Sequence, residues 1–110
     1  MGIQLAIDSG ICGFQTQVTA DSDDGQNVRL QITSTCEKIT AYGQALADQG
    51  TVDGYAEIGA GAAGVVLGTA RAHLCGCCAG CVVPIGLFKA VQVAAGVALP
   101  KDVTIRMAPA

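Results

Sequence analysis

Aromatic residues make up only 4% of this chain and tryptophan is absent, so its interior cannot be organised around large rings. Charge is nearly as scarce. Asp, Glu, Lys and Arg together reach 14%, the net charge is -3, and no Lys/Arg-rich patch occurs anywhere. Phosphate backbones are bound by clustered positive charge, so a nucleic-acid partner is not expected. The chain has one histidine, His73, with no Ser/His/Asp set and no obvious carboxylate dyad. Acid-base catalysis has little to work with, and the residues point away from an enzyme without excluding one. Nor does the opening, Met1-Gly2-Ile3-Gln4, carry a basic leader, apolar block and small-residue cleavage site. A reducing cytoplasmic location is the expectation.

What the chain has in quantity is small apolar residues. Hydrophobic residues account for 51% and there are 15 glycines, which favours close backbone approach over the interlocking of large side chains. At 110 residues the expectation is a single domain, 1–110, with a modest core. Residues 58–70 are too few to span a bilayer. Residues 82–100 are long enough, but Lys89 and Gln92 interrupt them, and Pro84 and Gly96 fit the ends of a buried helix. No membrane partner is expected. The large apolar Gly/Ala-rich surface does make a homo-oligomer an expectation.

Ile3, Leu5 and Ile7 alternate with polar or small residues, as do Phe14, Val18 and Ala20, and then Val28, Leu30 and Ile32. Three strands follow from that period. Residues 21–27, rich in Asp, Ser, Gly and Asn, read as the turn of a hairpin between the second and third; they lack the register of a calcium loop. Ser34 and Glu37 have the spacing of a capping box ahead of Ile39, Tyr42 and Leu46, so a helix is expected to about Gln49, stopped by Gly50. The Gly-x-Gly-x-x-Gly run at Gly59, Gly61 and Gly64 has no acidic residue about twenty positions on, and reads as packing, with a helical portion from about Ala62. Pro84 opens another helix through Leu87, Phe88, Val91 and Ala94, and Gly96 closes it. Val103, Ile105 and Met107 alternate once more and predict a C-terminal strand. The fold class is therefore α+β: a small antiparallel sheet of three strands plus a C-terminal strand, packed on two or three helices.

Six cysteines stand against this plain background, four of them at Cys75, Cys77, Cys78 and Cys81. Thiolates at two-residue gaps converge on one ion when a tight turn aims the sulfurs inward, and Gly76 and Gly80 permit that turn. Cys75, Cys78 and Cys81 have the Cys-x2-Cys-x2-Cys spacing that opens a bacterial ferredoxin run, although position 85, where the fourth cysteine is expected, holds Ile85. The last ligand then comes from Cys12, Cys36 or Cys77, or from His73 if the ion is zinc. A disulfide framework fits poorly, because four cysteines in one turn cannot pair with one another without strain.

Cys12 in the loop Gly10-Ile11-Cys12-Gly13, Cys36 where the third strand meets a helix, and the His73/Cys75 segment before a later helix together resemble the ligand layout of NifU-type iron-sulfur cluster assembly scaffolds. The resemblance implies Cys12, Cys36, Cys75 and His73 around a cluster or zinc ion, and a three-stranded antiparallel sheet backed by helices. Phe14 stands where those scaffolds have an acid, and Cys77, Cys78 and Cys81 have no counterpart among them. Residues 77–84 also resemble small uncharacterised cysteine-rich proteins of anaerobes. The expected function is a small metal-binding protein holding an iron-sulfur cluster for storage, delivery or electron transfer, with a protein partner for the transfer. Two alternatives stay open: a structural zinc site in an interaction domain, and a thiol-disulfide redox protein using a Cys-x-x-Cys pair.

Overall fold

A computed structural model describes residues 2–110. Strands β1 (Gly2–Asp8), β2 (Gln15–Asp21) and β3 (Asn27–Ser34) form where the period-two pattern predicts them, each antiparallel to the next. Leu5 lies opposite Val18, which in turn lies opposite Ile32, so the apolar rows of all three strands share one face. That register is set by burial, since a slip of one residue would turn every one of these side chains to water. The opposite face is polar, with Gln4, Arg29 and Gln31 exposed and Thr19 half-buried.

The sheet has a fourth strand, in the order β1-β2-β3-β4, but it comes from the middle of the chain. β4 (Val52–Asp53) follows helix α1 (Glu37–Asp48) and pairs antiparallel with the start of β3. The expected C-terminal strand does not form. Val103, Ile105 and Met107 are 62%, 65% and 91% exposed, and residues 98–110 take no regular structure. They have the right period but pair with no strand: the sheet order β1-β2-β3-β4 leaves them out, and the chain leaves α4 through Gly96 in a left-handed conformation (φ 78°).

Helix α1 packs on β3 and α4 (Val83–Ala94) on β1 and β2, so these two cover the apolar face; α3 (Val65–His73) packs against both of them, and the short α2 (Gly54–Ala60) against α4. α1 presents Ile39, Tyr42 and Leu46 to the core, the same face read from the sequence. Its N-cap is Cys36, not Ser34. The Ser34 hydroxyl instead accepts the Cys36 N–H at 3.1 Å, a local turn that uses up the group a capping box would need. α4 has Pro84 in its first turn and buries Val83, Leu87, Ala90, Val91 and Ala94. The stretch Gly76–Ala94 is apolar and long enough to cross a membrane by length and composition; 39% of it is buried inside the protein. A Cβ on Gly86 would sit 2.7 Å from Ile7 Cδ1, so α4 packs on β1 at this glycine.

The glycine-rich run has a structural explanation that periodicity could not supply. Glu57 is buried on α2, and its carboxylate accepts the N–H groups of Val65 at 2.8 Å and Val66 at 2.6 Å, capping α3 from outside its own sequence. A Cβ on Gly64 would meet Glu57 Oε2 at 2.6 Å. Only glycine leaves room for the carboxylate there. Tyr42 completes the junction by donating its hydroxyl to the Val66 carbonyl at 2.7 Å. Burial first, then the charges of Glu57 and Cys81, push the Tyr42 phenol well above its ordinary pKa.

Candidate metal-binding end

The topology collects cysteines that lie far apart in sequence at one end of the sheet. Cys12 lies in a single 3-10 turn between Asp8, the last residue of β1, and Gln15, the first of β2. The Gln15 carbonyl accepts the Thr35 N–H at 3.1 Å, which brings the end of β3 alongside that loop, and Cys36 follows immediately. The first turn of α4 lies over the same end, because Gly86 packs on Ile7 near the end of β1. Cys75, Cys77, Cys78 and Cys81 occupy the 3-10 turn Gly76–Gly80 and its flanks, just ahead of that helix. All six cysteines are free thiols, and no disulfide framework is present among the described residues.

Within this end the cysteines differ. Cys36, Cys78 and Cys81 are half-buried and pack against the hydrophobic core; Cys12, Cys75 and Cys77 are exposed. Lys38, in the first turn of α1, donates from Nζ to Cys78 Sγ at 3.5 Å. Its pKa is raised, first by that hydrogen bond and by the charge of Cys78, then more weakly by Cys75 and Cys36. The one hydrogen bond joins α1 to the cysteine turn. The Cys12 thiol donates to the Ser9 carbonyl at 3.8 Å, within its own loop. Gly76, at φ 64°, supplies the left-handed turn that lets the cysteine segment reverse direction.

His73 ends α3. Its Nδ1 donates to the Thr69 carbonyl at 3.1 Å, which leaves Nε2 as the free acceptor in the neutral ring. The ring lies 6.4 Å from that of Tyr42, centroid to centroid, and is partly buried. Among the described residues, no group of three or more His, Cys, Asp or Glu side chains is already close enough to hold a metal ion. The sulfurs are neighbours at one end of the fold without being drawn into a coordination sphere. Two residues of the surroundings were not singled out from the sequence. Lys38 sits two residues beyond Cys36 but carries no motif, and Glu57 makes its bonds eight and nine residues away, a separation with no periodic signature.

A concavity of ≈ 150 Å³ lies beside this end, lined by Leu67, Ala70, Leu74, Cys81, Pro84 and Ile85 among others. A larger hollow of ≈ 560 Å³ lies far from the cysteines, on the polar face of the sheet around Gln4, Thr19 and Arg29. The second is an open depression on a polar sheet face, and it holds none of the thiols.

The comparison with protein families decides membership. The chain belongs to a family of unknown function, DUF6951, whose model matches residues 3–107. The match takes in every strand and helix, the cysteine turn and most of the C-terminal segment. No curated protein and no solved structure matches the chain. The DUF6951 description names no activity, so function rests on the chemistry of the residues themselves.

Proposed function

We propose that this DUF6951 protein binds a thiophilic metal cargo at its cysteine end, in the first instance an iron-sulfur cluster for storage, delivery or electron transfer. One observation carries the reading: three segments separated by dozens of residues each bring cysteine to the same end of the fold, and all six thiols are free. A packing role explains Cys36, Cys78 and Cys81, which touch the core, but not the exposed Cys12, Cys75 and Cys77. Thiolate ligands suit Fe-S clusters and zinc alike. The Lys38 ammonium and the first turns of α1 and α4 favour the negative charge that several thiolates carry. Cys36, Cys75, Cys78 and Cys81 are the first four ligands in this reading, with Cys12, Cys77 and His73 in reserve. The layout echoes that of NifU-type scaffolds at Cys12, Cys36, Cys75 and His73. Because the sulfurs are not yet converged, binding requires the glycine-flanked turn around Gly76–Gly80 to close on the cargo.

The test is anaerobic reconstitution of the full chain with ferrous iron and sulfide, and separately with zinc, followed by thermal unfolding. Anything that binds the folded state and not the unfolded chain raises the melting temperature. A brown product with a raised melting temperature is expected. Zinc binding with no uptake of iron and sulfide would instead favour a structural zinc site in an interaction domain. No metal uptake, with a reversible two-electron titration of thiols, would replace both with Cys-x-x-Cys redox chemistry.

A further inference from the structure

The molecule leaves one strand edge open and one strand-like segment unused. β1 is the end of the sheet, so the outer rim of Gly2–Asp8 offers main-chain N–H and C=O groups with no neighbouring strand among the described residues. Its inward row, Ile3, Leu5 and Ile7, is only partly buried against the core. Beyond α4, the segment between Pro100 and Pro109 lies clear of the sheet with Val103, Ile105 and Met107 largely exposed. An alternating apolar row in water is costly and unexplained by anything in a single copy. The segment is no stray appendage, since the family match continues to residue 107 and so takes in the whole row.

The two rows fit each other. Both place three apolar side chains at period two, so setting Ile105 opposite Leu5 brings Val103 and Met107 opposite Ile3 and Ile7 in either strand polarity. Thr104 and Arg106 then fall on the polar face beside Gln4 and Ala6. The added strand would satisfy the free edge of β1 and extend the apolar layer that α4 half covers. We propose that residues 102–108 of one copy add as a fifth strand to β1 of a second copy, and that the exchange is reciprocal, giving a two-fold dimer. Each copy has one such strand to give and one edge to receive it, and reciprocal exchange leaves neither unfilled. This dimer is independent of the metal reading.

Sedimentation equilibrium of the full chain, with reductant present so that no cysteine can link the copies, reads the assembly directly. The wild type is expected to be a dimer. Ile105→Lys places a charge in the buried row, and Thr104→Pro removes a strand N–H; both lie outside the folded core, so both variants should remain folded by circular dichroism yet sediment as monomers. Hydrogen exchange gives a second readout: the β1 amides that face the outer edge, away from β2, should be protected in the wild type and fast in both variants. A monomeric wild type would overturn the proposal, and so would a dimer that survives both substitutions, which would place the contact on another face.

Discussion

The two ends of the sheet are built on opposite principles. At the β2–β3 hairpin end almost every polar group is committed. Asp24 accepts the N–H groups of Gln26 and Asn27 at 2.9 and 2.8 Å and the Asn27 side-chain amide at 2.9 Å, while the Ser22 hydroxyl accepts from Gly25 N–H. Arg29 pairs with Asp21 and Asp23, and Asp53 caps α2 while accepting from Gln26. The acids that suggested a cation loop are therefore used up within the protein. At the other end the backbone turns are short, the side chains are sulfurs, and the strongest contact any of them makes is with Lys38. Saturation by charged and amide partners at one end, against only weak contacts for the sulfurs at the other, is the contrast on which the proposed metal site rests.

Breaking the uncommitted end should have the largest effect. Replacing both Cys75 and Cys78 with Ser is expected to remove metal from the reconstituted protein, by elemental analysis, and to abolish the gain in melting temperature. Cys77→Ser, which alters an exposed thiol that touches no core residue, should change both far less. Retention of full metal content by the double variant would remove these residues from the site. Breaking the scaffold between the ends should act on stability alone: Glu57→Ala strips two hydrogen bonds from a buried carboxylate and leaves the first turn of α3 uncapped, at a cost of about 3 kcal/mol in denaturant unfolding. Metal content per folded molecule should stay as it was.

The saturated end can be tested by pH. The Asn27 N–H, then its side chain and the Gln26 N–H, hold the Asp24 carboxyl well below its usual value of 3.8. Because the folded value is the lower one, Asp24 contributes stability that is fully present above that usual value and is lost as acid drives the pH down toward the folded one. Melting temperature against pH should therefore fall below about pH 4 in the wild type and fall less steeply in Asp24→Ala, with metal uptake at neutral pH unaffected. The smallest effect belongs to Lys38→Gln. Losing the ammonium 3.5 Å from Cys78 should slow alkylation of that thiol a few-fold and loosen metal retention without unfolding α1. Equal alkylation rates in the two proteins would mean that Lys38 only rests against the sulfur.

Much of this frame is legible in the residues because the signals are local. The apolar rows of β1 to β3, the helix face of Ile39, Tyr42 and Leu46, and the Pro84 and Gly96 ends of α4 each follow from a few neighbouring side chains. The capping-box misreading is local, because the Ser34 hydroxyl accepts the Cys36 N–H two residues on; the others share one cause, which is partners distant in sequence. Val103, Ile105 and Met107 carry a strand's period, but period does not say whether an edge is within reach. Val52 and Asp53 are too few to show a period, yet β3 provides one. Glu57 looks like a surface acid until α3 is folded against it. For the cysteines, density at 75–81 marks the segment, whereas the arrival of Cys12 and Cys36 at the same end is a property of the sheet order and the packing of α4 on β1.

The most direct test of a metal-binding end is the iron, zinc and acid-labile sulfide content of the full chain, with a visible spectrum, after purification without oxygen or chelator. Iron with matching sulfide and charge-transfer absorption is the predicted result. Protein that carries no metal and gains none on reconstitution, with all six thiols titrating freely, would contradict it.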